Sequence, residues 1–162
     1  MAFLEELRRI WRICVKLSSK ARYAVMAMVD IAHYGEAEPV SLSAISIRQD
    51  LPLAYLEQLF NKLKKAGLVI SCRGATGGYK LSQPRADIHV YNIIAAVDTP
   101  LKATRCSSDH SGCQISGTKC MTHDLWGELT AVVAEFLKKI TLDDICARRV
   151  KGLTSQLFER AA

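Results

Sequence analysis

From Ser18 onward, apolar stripes at helical spacing alternate with short polar breaks, and this alternation predicts the elements. Ser18 and Ser19 are side chains suited to capping a helix that runs to about Tyr34 and is closed by Gly35. Between Tyr23 and Ala32 that helix is apolar nearly all round, which places it at the centre of the fold. SLSAISIRQD (41–50) reads as a short helix with Leu42 and Ile45 on one face, and Leu51-Pro52 as the turn after it. In LAYLEQLFNKLKKAG, Leu56, Leu59, Phe60 and Leu63 fall at i, i+3, i+4 and i+7 and form an inward stripe. The opposite face carries Tyr55, Glu57, Gln58, Asn61, Lys62 and Lys65, and Gly67 ends the helix. LVISCR (68–73) is extended, GATGG is a glycine-rich turn and YKLS (79–82) is a second strand. Helices, a tight turn, a polar-faced helix and a hairpin in this order make a winged helix-turn-helix.

IHVYNIIAAVD (88–98) predicts another short helix with Val90, Ile93, Ile94 and Val97 inward, stopped by Thr99-Pro100. After a polar, cysteine-bearing stretch comes a long helix in which Leu125, Trp126, Leu129, Val133, Phe136, Leu137 and Ile140 recur about every 3.5 residues. Thr141 with Asp144 has the form of a capping box for a last short helix. The first residues also have a helical period, with apolar side chains at 3, 4, 7, 10, 11, 14 and 15. Two readings of residues 1–15 stay open: a real extension, or translation that begins at Val15. The fold class is mainly α with one small β-hairpin, and the tail carries no pattern.

Composition narrows the function. Of 162 residues 49% are hydrophobic and 23% charged, the balance of a globular protein, and the net charge of +6 suits a polyanionic partner. The longest apolar run, Ala24 to Val29, is far too short to cross a bilayer, so no membrane association is expected. Glu5, Glu6, Arg8, Arg9, Arg12 and Lys16 leave no apolar stretch for a secretory signal, so a cytoplasmic location is expected. In that compartment six cysteines point to metal rather than to disulfides. There is no phosphate-binding loop at a strand–helix junction, no nucleophile elbow and no plausible triad, which argues against an enzyme.

On the third helix the polar face has the chemistry of a major-groove reader. Gln58 can pair with adenine, Glu57 can accept from the cytosine amino group, and Tyr55, Lys62 and Lys65 can hold phosphates. Arg73, beside a slim glycine-rich tip, can enter a narrow minor groove. Double-stranded DNA is therefore the expected partner. Further on, Cys106, Cys113, Cys120 and His123 are separated by six, six and two residues within a polar segment. Three thiolates and an imidazole suit a metal, and two centres fit: structural zinc, which would staple the segment permanently, or an iron–sulfur cluster, which would make it responsive.

LSSKARYAVMAMVDIA, AYLEQLF, RGATGGYKL and the Cys…Cys…CMTHDLW segment, taken together, resemble a family of bacterial winged-helix repressors that sense iron–sulfur clusters. The resemblance covers roughly residues 16 to 147. It implies a homodimer joined by the long helix, through Leu125, Trp126, Leu129, Val133, Phe136, Leu137 and Ile140. It also implies a [2Fe–2S] cluster per protomer on Cys106, Cys113, Cys120 and His123, received from the cluster-assembly machinery. Operators of cluster-assembly genes would be repressed when the cluster is bound, with Glu57 and Gln58 reading bases and Arg73 the minor groove. The implied organisation is an extension at 1–15, a DNA-binding domain at 16–98, a cluster-binding loop at 99–123, a dimerisation helix with a short C-terminal helix at 124–149 and a tail at 150–162.

Three departures from the family pattern stand out. Both inter-cysteine gaps hold six residues where five is frequent, Ala54 replaces a common serine, and Ala75-Thr76 replaces a tip richer in glycine and proline. The competing readings are a zinc-stapled winged-helix repressor and a cluster-carrying protein that does not bind DNA.

Overall fold

Ser18 starts the described fold. In this computed structural model, which describes residues 18–74, 77–98 and 118–151, its hydroxyl accepts from the Ala21 amide at 3.2 Å and donates to the Asp98 carboxylate. The elements are α1 (Ser19–Tyr34), α2 (Leu42–Gln49), α3 (Leu53–Lys65), β1 (Val69–Cys72), β2 (Gly78–Leu81), α4 (Val90–Val97), α5 (His123–Lys139) and α6 (Leu142–Cys146). They fall in two units, one holding the described residues 118–131 and the other 18–98 with 132–151. Residues 1–15, the wing tip Ala75-Thr76, Cys106 and Cys113 lie outside the described residues.

In the second unit α1 is the central helix, as its all-round apolar pattern predicts. Ala24, Ala27, Met28 and Ile31 are buried against Ile45 of α2, Leu56, Phe60 and Leu63 of α3, Ile93 of α4 and Leu142 of α6. Each large apolar side chain buried in this way contributes about 1.5–3 kcal/mol relative to exposure. Ser41 caps α2 by accepting from Ala44, and the turn to α3 is made by Asp50, in the left-handed region at φ 52°, Leu51 and Pro52. Gly67, at φ 72°, closes α3 in a Schellman arrangement: the Leu68 amide donates to the Leu63 carbonyl and the Gly67 amide to Lys64, both at 3.0 Å.

The hairpin pairs Val69 with Leu81 and Cys72 with Gly78 in antiparallel register. Val40 adds a short third rung through two backbone bonds to Tyr79, at 2.9 and 2.8 Å. A side chain at position 78 would collide with this rung, since a Cβ there would lie 2.5 Å from the Val40 carbonyl oxygen.

Below the hairpin, the segments around Ile88 and Leu142 form a backbone clasp. The Val90 amide donates to Ile140 at 2.9 Å and the Leu142 amide to Ile88 at 3.0 Å. α6 then begins with the expected capping box of Thr141 and Asp144. One expectation changes here. α5 ends at Lys139, and Ile140, only 3% exposed, leaves the helical stripe for a core shared with Ala21, Val90 and Ile94. It packs as a core residue of this unit. Phe136 and Leu137 are half-buried against the same core.

Candidate nucleic-acid interface and the cysteine–histidine turn

α3 presents its charged face outward because Leu56, Leu59, Phe60 and Leu63 consume the opposite side. Glu57 and Gln58 are exposed and have no hydrogen-bond partner among the described residues. A carboxylate and an amide held in this way on a rigid helix are free to meet base edges. Leu53, 40% exposed in the first turn, adds an apolar group suited to a thymine methyl, a feature masked in the sequence by its place among buried leucines. At the wing, Arg73 is exposed next to Gly74, whose φ of 128° only glycine adopts readily. Gly77 lets the hairpin turn tightly, because a Cβ there would approach the carbonyl oxygens of Cys72 and Gly74 to 2.9 Å.

Two residues expected at phosphates are engaged elsewhere. Tyr55 is half-buried, with its ring edge-on to Tyr23 at 5.8 Å. Burial pushes its phenol pKa up, and Tyr23 and Asp98 add to the shift. Lys62 donates from Nζ to the carbonyl of Val97, the last residue of α4, at 2.8 Å. Lys64 likewise donates to Ser71 Oγ at 2.7 Å, tying α3 to the wing. Lys65 and Arg73, also exposed, have neither a hydrogen-bond nor an ion-pair partner among the described residues.

Sequence reasoning missed the group that orients α2. Asp30 is 2% exposed within α1 and accepts from Arg48 Nε at 3.0 Å, Arg48 Nη2 at 2.6 Å and Gln49 Nε2 at 2.9 Å. The Arg48 guanidinium also lies 4.5 Å from the centroid of the Tyr34 ring. Its pKa is raised, first by the hydrogen bond to Asp30. The available signal was a lone acid inside an otherwise apolar helix, since such a group is kept only with partners.

In the other unit, the turn before α5 brings Cys120 and His123 together. The His123 amide donates to the Cys120 carbonyl at 3.0 Å, and His123 is 8% exposed. Trp126 Nε1 donates to Thr122 Oγ1 at 3.2 Å, and that hydroxyl lies 3.5 Å from Cys120 Sγ. Because Thr122 already accepts from the indole, its own proton is available to a deprotonated sulfur. A thiolate and an imidazole one turn apart, with a hydroxyl donor at the sulfur, fit half of a sulfur–nitrogen metal site. The described residues alone hold no complete cluster of ligands.

Along the long helix Leu125 is 61% exposed, with Trp126, Leu129 and Val133 intermediate. Val132, absent from the expected face, is 55% exposed. Among the described residues no helix is long and apolar enough to cross a membrane.

An open-faced recognition helix, a tight turn before it and a glycine-pinned hairpin beside it define a winged helix-turn-helix DNA-binding protein. A profile of the Rrf2 family, described as "Iron-dependent Transcriptional regulator", matches residues 17–148, and the chain belongs to that family. It is 50% identical over 131 residues to the HTH-type transcriptional regulator IscR of Vibrio atlanticus, covering 81% of this chain and 75% of that one. It is 48% identical over 152 residues to the IscR of Photobacterium profundum, covering 91% and 87% respectively. Among solved structures, T. potens IscR superposes with a TM-score of 0.66 at 40% identity, over 83% of this chain and 88% of that one. CymR, the global cysteine regulator of B. subtilis, gives 0.69 at 32% identity, over 82% and 97%. The protein is a DNA-binding transcriptional regulator and not an enzyme.

Proposed function

We propose that the chain is a homodimeric repressor that responds to an iron–sulfur cluster and acts on operators of cluster-assembly genes in the cytoplasm, with the cluster-assembly machinery as cluster donor. The observation that carries this reading is the Cys120–His123 turn with its Thr122 hydroxyl, at the head of the long helix. Cys106, Cys113, Cys120 and His123 would hold a [2Fe–2S] cluster, which supplies one-electron chemistry and makes occupancy depend on iron.

The remaining roles belong to the chain's own side chains. Glu57 accepts from a cytosine amino group, Gln58 takes adenine, and Arg73 enters an A·T-rich minor groove. Leu125, Trp126, Leu129 and Val133, with the outer edges of Phe136 and Leu137, pair with a second chain. Two copies then read half-sites about one helical turn of DNA apart. Glu57 sets the specificity, because a carboxylate near phosphates costs energy unless it finds its cytosine.

Oxygen-free purification followed by iron, sulfide and zinc analysis tests the reading, alongside Cys113→Ala and binding to DNA selected from a randomised library. Coloured, iron-containing protein whose DNA selectivity changes in Cys113→Ala is expected. Zinc in place of iron would make the segment a permanent staple and overturn the sensing role.

A further inference from the structure

The Lys62 ammonium sits on the recognition helix yet lies 2.8 Å from the Val97 carbonyl. That carbonyl belongs to the last residue of α4 and is among the four that a helix leaves without an internal partner. A cation there also meets the negative end of the α4 dipole. The next residue, Asp98, accepts from the Ser18 hydroxyl at the start of α1 and lies close enough to Tyr55 to contribute to the rise in its phenol pKa. From Asp98 the chain runs directly into the segment that carries Cys106 and Cys113. The root of that segment is thus gripped by the recognition helix on one side and by the central helix on the other.

We infer that Lys62 is a positioning residue that seats the recognition helix on the end of α4, so that the cysteine segment and the base-reading face share one mechanical joint. Lys62 does not serve as a phosphate contact. The coupling half of this inference rests on the function proposed above; the joint itself rests only on the geometry of Lys62, Val97 and Asp98. The two roles of Lys62 differ in their salt signature. A lysine that neutralises a phosphate releases a counterion, so its loss lowers the salt slope of DNA binding by about one and weakens all sequences alike. Loss of a joint leaves the slope intact and blurs the choice between sequences.

The test uses full-length protein: wild type, Lys62→Met and Lys62→Arg, each also in a Cys113→Ala background. Fluorescence anisotropy is read on a duplex selected by wild type from a randomised library and on a scrambled duplex, across a salt series. Lys62→Met should lose about tenfold on the selected duplex, the scale of one charge-assisted hydrogen bond, with the scrambled affinity and the slope unchanged. Lys62→Arg, which keeps a donor on a long stem, should recover most of the loss. The effect of Cys113→Ala should shrink in Lys62→Met. Equal losses on both duplexes with a slope reduced by about one would overturn the joint in favour of a phosphate contact. A normal slope with an undiminished Cys113→Ala effect would overturn the coupling alone. Iron-free wild type would sink the cluster reading and leave the slope comparison to decide the joint.

Discussion

Removing Arg48 should cost more than removing the acid it pairs with, and the structure says why. The Asp30 side chain is 0% exposed, whereas that of Arg48 is 33% exposed. In Arg48→Met the stem volume stays and keeps water out, but the carboxylate retains a single donor, Gln49 at 2.9 Å. Removing the partner of a buried charge, so that the charge is left uncompensated, typically costs about 3–5 kcal/mol, and partial exposure of the pair puts the expectation near 3. For a chain of this length that is a fall of roughly 6–12 °C in Tm. In Asp30→Ala the guanidinium can turn to water while staying over Tyr34, so the loss should be about 1–2 kcal/mol. The double variant removes the stranded charge as well and should be more stable than Arg48→Met alone. Urea and thermal unfolding at one fixed protein concentration, followed by far-ultraviolet circular dichroism, measure all four forms. If the two losses simply add, or if Arg48→Met is the milder change, the buried carboxylate is not what holds α2 to α1.

Other consequences are more local. Glu57→Ala should lose about tenfold in discrimination at one base pair while gaining affinity for sequences without the cytosine, and an unchanged preference in a library selection removes Glu57 from base reading. Arg73→Ala should weaken binding most where the flank is A·T-rich, whereas a uniform loss would mark a phosphate contact. Gly78→Ala places a Cβ 2.5 Å from the Val40 carbonyl oxygen and should lower stability by about 1–3 kcal/mol, a cost that an unshifted urea midpoint would exclude. Thr122→Val should lower the midpoint potential of a bound cluster by removing a hydrogen bond from Cys120, which anaerobic redox titration reads directly. The carboxyls of Asp143 and Asp144 are held below the usual aspartate range, Asp143 chiefly by Arg149 and Asp144 chiefly by Thr141. Depressed values contribute stability above the unfolded pKa and lose it as pH falls through the folded one. Amide protection factors at Leu142 and Ile145, taken relative to the intrinsic exchange rate at each pH, should therefore stay flat from neutral pH downward and fall only in acid below the ordinary aspartate range.

Local signals made the helices legible. Ser18 and Thr141 announced caps that the structure forms, and the spacing of Leu56, Leu59, Phe60 and Leu63 named the buried side of α3. Periodicity reports which side chains need burial; it does not report which distant group a polar side chain will choose. Lys62 falls on the polar face by spacing, yet its flexible stem reaches a carbonyl 35 positions later. Asp30 was visible as an acid in an apolar run, but its partners at 48 and 49 follow only from how α2 packs. Ile140 extends the spacing of the long helix although the helix has ended, because its carbonyl is taken by the Val90 amide. Among the expected ligands, the structure brings Cys120 and His123 together, while Cys106 and Cys113 lie outside the described residues.

These misreadings fall at joints between elements, and that pattern has a physical reason. Asp30 with Arg48 and Gln49 joins α1 to α2, Lys62 with Val97 joins α3 to α4, and the clasp between Val90 and Ile140 joins α4 to the end of the long helix. Apolar packing tolerates small slides, because dispersion and burial change gradually with position. A buried charge or backbone donor has one geometry in which its desolvation is compensated, so these joints resist sliding and fix angles. For a protein that must place two groups at base edges, angle matters more than total stability. Apolar substitutions such as Leu59→Ala should therefore lower Tm with sequence preference retained, whereas changes at the three joints should alter sequence preference at a smaller cost in Tm per unit of lost discrimination.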